Sequence, residues 1–170
     1  MLPGLPVLPV LQLLWPDEAA TQAFAAQLAA HAGLDYAFIT LHGDLGAGKT
    51  TLTRHLLQAL GISGRIKSPT YTIVEAYETA AYPIWHFDFY RFNDPQEWED
   101  AGFRDIFASP GLKLVEWPQK ADDLLPQADL DIALETVSEV ARRVTLSAYT
   151  PRGAALLQAL TAVTQAGQIP

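Results

Sequence analysis

Gly43 to Thr50 reads GDLGAGKT and fits the pattern G-x-x-x-x-G-K-[ST]. With glycine near 7% of residues, a chance match in a chain of this length falls below roughly one in a hundred. The flanks sharpen the reading. YAFITL over Tyr36–Leu41 reads as a short buried strand. Thr50 to Leu60 reads as a helix with Leu52, Leu56, Leu57 and Leu60 on one side and Gly61 as its stop. Strand, glycine-rich turn and helix make a phosphate-binding loop. Gly46 and Gly48 let the backbone curl with its N–H groups inward, where they and the helix N-terminus meet phosphate oxygens. Lys49 supplies a charge toward the β and γ phosphates, and the Thr50 hydroxyl is placed for Mg²⁺. The candidate nucleotide-binding run is Asp44, Leu45, Gly46, Ala47, Gly48, Lys49, Thr50 and Thr51.

Around this centre, elements alternate. Pro16 predicts a helix start, with Asp17 and Glu18 in its first turn, Phe24 and Leu28 facing inward and an end near His31 before Gly33. YTIVEAYE from Tyr71 and PIWHFDFY from Pro83 read as a hairpin. Asp94, Pro95 and Glu97 fit a helix start as cap, first residue and capping-box acid. LKLVE over Leu112–Glu116 is a buried strand ending on a carboxylate, and Pro118 to Leu125 is a short helix. Leu130–Thr136 and Arg143–Ala148 read as a closing hairpin, followed by a helix over Ala154 to Val163. The expected fold is α/β: a P-loop NTPase domain over residues 1–170, three layers α/β/α, with a mixed parallel and antiparallel sheet. Residues 1–15 read as a frayed or strand-like segment, because Pro3, Pro6, Pro9 and Pro16 break the apolar opening.

Composition narrows the function. The 170 residues hold 11 Lys+Arg against 19 Asp+Glu, a formal charge of −8 that argues against a general nucleic-acid clamp. The absence of cysteine excludes disulfides, thiol catalysis and Cys-ligated zinc. No Lys or Arg precedes Lys49, so neither a secretory signal nor a mitochondrial presequence is expected, and no uncharged apolar run reaches the ~18 residues of a membrane span. The expectation is a cytoplasmic protein.

A phosphate loop needs carboxylates for Mg²⁺ and for an attacking water. Asp88 in IWHFDFYR and Glu116 in LKLVEW stand at strand ends. Each meets the loop if its strand runs parallel to Tyr36–Leu41; the helical segment before Leu112 favours this for Glu116, and the direction of the Asp88 strand is open. His86 reads as a half-buried structural residue, with a metal pair to Asp88 as the alternative. His42 and His55 read as surface or packing residues. Trp117 serves either the core or the site. Arg142 and Arg143 read as a solvated hairpin face.

These segments together resemble the TsaE (YjeE) family of small P-loop ATPases that act in tRNA threonylcarbamoyladenosine synthesis. The resemblance rests on GDLGAGKTTLTRHLLQALG from Gly43, KSPTYTIVEAY from Lys67, HFDFYRFNDPQEWEDAGFRDIF from His86 and LVEWPQKADDLLP from Leu114. It implies ATP and Mg²⁺ as cofactors, with Lys49 and Thr50 on phosphate and metal. It implies that Ser68, Pro69, Thr70, Tyr71 and Thr72 form a switch-like segment. Asp88 and Glu116 would serve catalysis and, with Thr50, the metal, while Trp117 would lie near the nucleotide. It also implies TsaB-like and TsaD-like partners, with ATP hydrolysis supporting their turnover and little direct contact with nucleic acid. The rival readings are a small P-loop kinase acting on a nucleoside or metabolite, a GTP switch (disfavoured because no N-K-x-D segment occurs) and a scaffold that uses ATP only as structural glue.

Overall fold

The structure is a computed structural model that describes residues 9–66, 69, 72–121 and 123–167, excepting the side chains of 162–167. Of the switch-like stretch, Pro69 and Thr72 are described; Ser68, Thr70 and Tyr71 lie outside the described residues.

The first strand, β1 (Val10–Trp15), forms from Val10 onward and resolves the choice between frayed and strand-like for that part of the opening. Helix α1 (Glu18–Ala29) starts one residue beyond Asp17, whose carboxylate accepts the Ala20 N–H at 3.0 Å. Pro16 therefore precedes the cap. The helix also stops before His31, because Ala32–Tyr36 tightens into a 3-10 turn in which His31 Nδ1 accepts the Gly33 N–H. Strand β2 (Phe38–His42) leads into the loop, and α2 (Lys49–Ala59) leaves it with Leu52, Leu56 and Leu57 buried. Strands β3 (Val74–Glu78) and β4 (Pro83–Asp88) form the expected antiparallel hairpin. Two short helices follow: α3 (Pro95–Asp100), capped by the Asp94 carboxylate on the Gln96 N–H, and α4 (Phe103–Ala108). Strand β5 (Leu112–Glu116) has the expected limits, and the predicted helix after it shortens to a 3-10 turn over Pro118–Ala121. Strands β6 (Leu130–Thr136) and β7 (Arg142–Ala148) form the closing hairpin, and α5 (Pro151–Gly167) starts three residues earlier than the apolar pattern alone indicates.

The seven strands line up as β1-β7-β6-β2-β5-β4-β3. Strand β2 is parallel to both β5 and β6, and β4 is parallel to β5; the other pairs are antiparallel. This mixed sheet is the expected one. One face packs against α1, α2 and α5 through an aliphatic core that includes Leu28, Ile39, Leu56, Ile132, Leu146 and Leu156. The other carries an aromatic core in which Phe38, Phe87 and Val115 of the strands meet Trp98 and Phe103 of α3 and α4. That second layer covers the β2-β5-β4 half of the sheet; on β1, Val10 and Leu14 remain about three-fifths exposed, at 60% and 62%. No helix among the described residues is long and apolar enough to cross a membrane.

The sheet end remote from the loop is held by Asp129. Its carboxylate accepts the Phe38 N–H at 2.8 Å and the Thr150 hydroxyl at 2.6 Å, and Thr150 in turn accepts the Gly153 N–H in the first turn of α5. A methyl at Gly153 would sit 1.7 Å from the Asp129 carbonyl oxygen. Backbone cannot yield as a flexible side chain does, so Gly153→Ala is expected to lower stability by about 3 kcal/mol in urea denaturation. A variant within about 0.5 kcal/mol of the parent would show that α5 lifts freely from β6.

Candidate functional site

Parallel pairing brings the site together. Strands β2, β4 and β5 all end at one edge, with Leu41 level with Glu116 and Glu116 level with Asp88. Gly43 follows β2 directly, so the phosphate loop and both carboxylates stand at the same edge. The open direction of the Asp88 strand is thereby resolved: β4 is parallel to β5 and so to β2.

The loop backbone depends on glycine. Gly48, the residue before α2, has φ of +107°, a left-handed conformation that side chains disfavour. Gly43 is required for space: a Cβ there would lie 2.7 Å from the Leu134 carbonyl oxygen. The Ala47 N–H donates to the Asp44 carbonyl at 3.0 Å and closes the turn. Ala47 is buried in the aliphatic core. Leu45, Gly46, Gly48, Lys49, Thr50 and Thr51 line a cavity of about 390 Å³, and Asp88, Glu116 and Trp117 line the same cavity. Asp44 and Ala47 are outside that lining and shape the loop instead.

Lys49 is 5% exposed. Its ammonium donates to the Gly43 carbonyl and lies 3.8 Å from the centre of the Trp117 ring. Burial lowers its pKa, opposed by the charges of Glu116, Asp88 and Asp44. Trp117 itself has a left-handed φ of +56°, a strained state for a bulky residue, and its ring meets Tyr90 at 4.9 Å between centres. Trp117 therefore belongs to the site rather than to the core alone.

Asp88 accepts the Tyr90 N–H at 2.9 Å through Oδ1. Burial raises its pKa, the Tyr90 N–H opposes that, and the nearby Glu116 charge adds to the rise. The Asp88 N–H donates to the Ile73 carbonyl at 2.8 Å, and the Ile73 N–H donates to Pro69, which ties the described end of the switch-like stretch to this acid. Ile73 has φ of +67°, strained for a β-branched residue.

Glu116 is 2% exposed and its Oε2 lies 2.6 Å from His86 Nε2. His86 is thus fully buried rather than half-buried, and its Nε2 is partnered by Glu116. The sequence could not show this, because the pair forms across neighbouring strands 30 positions apart. His42 contacts the Asp131 carboxylate and His55 lies 3.0 Å from Glu18; neither lines the loop cavity, as their packing reading implied.

The arginine pair requires a correction. Arg143 is an exposed hairpin residue, 3.3 Å from Glu135. Arg142 points to the other side and donates through Nε to the Ala47 carbonyl at 2.8 Å. Successive strand residues face opposite ways, so two adjacent arginines cannot share one solvated face. Tyr90 and Arg91 also line the cavity; both lie in the HFDFYR run that carries the resemblance, which assigned neither of them a role.

The donor set fits Mg²⁺. Thr50, Asp88 and Glu116 offer hard oxygen atoms around one cavity, and two adjacent carboxylates repel until a cation stands between them. No group of three or more His, Cys, Asp or Glu placed to hold a metal ion by themselves occurs among the described residues. A partial cage of this kind suits an ion that keeps several waters and binds phosphate oxygens.

The model of the family "Threonylcarbamoyl adenosine biosynthesis protein TsaE" matches residues 15–144. A Haemophilus influenzae protein named tRNA threonylcarbamoyladenosine biosynthesis protein TsaE is 46% identical over 72% of this chain and 77% of its own length. The protein of the same name from Bacillus subtilis is 39% identical over the same shares. The crystal structure of YdiB from Bacillus subtilis superposes with a TM-score of 0.75 at 32% identity, covering 93% of this chain and 98% of that one, so the α/β P-loop architecture is shared. On the extent of the family match and these identities, this chain belongs to the TsaE family.

Proposed function

We propose that this protein is a Mg²⁺-dependent ATPase of tRNA threonylcarbamoyladenosine biosynthesis that supports a TsaB-like and TsaD-like pair in the cytoplasm. The observation that carries the reading is the single cavity in which Lys49 and Thr50 face Asp88 and Glu116 at one sheet edge. The names of the relatives supply the pathway. Loop N–H groups and Lys49 bind and orient the ATP phosphates. Thr50 and one of the two carboxylates would hold Mg²⁺, which when bound neutralises charge on the transferring phosphoryl group. The other carboxylate orients the attacking water. Trp117 and Tyr90 wall the cavity. The switch-like segment, tied to Asp88 through Ile73, reports the nucleotide state to the partners. With a net charge of −8, the protein makes little direct contact with tRNA.

The test is capture of purified TsaB-like and TsaD-like homologues on the immobilised protein with ATP, ADP or no nucleotide. Capture is expected to depend on the nucleotide; equal capture in all three conditions overturns the switch reading.

A further inference from the structure

Arg142 opens β7 and stands 95 positions from the loop residue that it holds. Its Nε donates to the Ala47 carbonyl at 2.8 Å, and its Nη2 reaches the Gly46 carbonyl at 3.4 Å. From the same guanidinium, Nη1 donates to the carbonyls of Ser138 at 3.0 Å and Ala141 at 2.9 Å in the turn between β6 and β7. One planar fork of donors therefore bridges two backbone segments. Lysine has no such fork.

The consequence follows from peptide geometry. In a trans peptide the C=O and the following N–H point in opposite directions. A guanidinium that holds the Ala47 carbonyl therefore sets the direction of the Gly48 N–H, sending it away from Arg142 and across the loop. The brace acts on a weak point. Gly46 and Gly48 have φ of +83° and +107° and no side chain to restrain their peptide planes. Phosphate affinity at such a loop depends on N–H groups already aimed before the ligand arrives.

We infer that Arg142 is a positioning residue of the phosphate site: it preorganises the loop N–H groups and makes the 137–141 turn move as one with the P-loop. The inference rests on the nucleotide-site reading above. Because the brace acts on the loop and not on the terminal phosphate, it serves ATP and ADP alike.

The experiment uses the full chain and its Arg142→Ala and Arg142→Lys variants. Calorimetry reads Mg-ATP and Mg-ADP affinity, and hydrogen–deuterium exchange reads the nucleotide-free backbone. Arg142→Ala is expected to weaken both nucleotides by about tenfold or more, the loss of a charge-assisted pair of hydrogen bonds. Exchange should rise together in peptides covering 44–50 and 137–141. Arg142→Lys should restore part of the affinity, because one ammonium reaches one carbonyl. Affinities of Arg142→Ala within twofold of the parent, with exchange unchanged, overturn the inference. So does a loss confined to ATP, which would place Arg142 on the terminal phosphate. If Arg142→Ala does not fold, Arg142→Lys decides: parental affinity and exchange in that variant show that no fork is needed and also overturn the inference. If the parent binds neither nucleotide, the nucleotide reading itself fails; if it binds and the variants match it, only the Arg142 inference fails.

Discussion

Lys49→Ala is expected to weaken ATP binding by roughly a hundredfold or more, about 3 kcal/mol, and to abolish ATP turnover. The size follows from what remains. Lys49 is the buried cation of the cavity, and Asp88 and Glu116 line the same cavity. Without its ammonium, polyphosphate would approach two carboxylates with one fewer positive charge to offset them. The nucleotide-free fold should tolerate the change, because burial already lowers the pKa of Lys49 against the pull of its acidic neighbours. Calorimetry with Mg-ATP and a melting curve without nucleotide separate the two effects. Binding within threefold of the parent would remove Lys49 from the phosphate site. Intact tRNA modification in a reconstituted system with the partner proteins would remove ATP hydrolysis from the function.

The second large effect is on the chemical step. Glu116→Gln and Asp88→Asn are each expected to lower kcat by about 10²–10³ while ATP affinity changes little, since the lost charge matters most where charge develops in the transition state. Both replacements keep the size of the side chain. In Glu116→Gln the new amide keeps a polar group within reach of His86, whose Nε2 lies 2.6 Å from the native carboxylate. In Asp88→Asn the amide oxygen still accepts the Tyr90 N–H that the native carboxylate accepts. Loss of turnover with a preserved melting temperature would then reflect charge and not collapse of the strand ends. Single-turnover phosphate release at saturating ATP is the measurement. A variant with more than half the parental kcat does not carry a catalytic acid at that position.

Much of this site is local in sequence. The phosphate loop is a run of eight residues whose strand, turn and helix follow from short-range periodicity and glycine. The limits of β5 and the antiparallel hairpin of β3 and β4 are equally readable, because alternation and bounding turns specify them. The carboxylates are readable as strand-end acids. Their convergence is not, because it depends on β4 lying parallel to β5, and a strand carries no mark of the direction of its neighbour. The misreadings share one origin. The sequence groups Arg142 with Arg143 as solvated and does not pair His86 with Glu116; each makes its decisive contact with a residue distant in the chain, Ala47 and Glu116 respectively. Helix ends move by a few residues where a side-chain cap or a 3-10 turn outweighs apolar spacing, as at Asp17 and Ala32–Tyr36.

By itself, the sequence determined that this chain carries a phosphate loop with Lys49 and Thr50 at a glycine turn, and that it does so within a mixed α/β domain despite a charge of −8. Those properties reside in neighbouring residues, whose backbone preferences and side-chain chemistry act over a few residues along the chain. The tertiary structure alone decided that β4 runs parallel to β5 and so brings both acids to the edge of that lysine, that the Trp117 ring covers it, and that an arginine from the far hairpin braces the loop. Those contacts arise from strand order and register, which are set by how two faces of one sheet bury their aliphatic and aromatic cores.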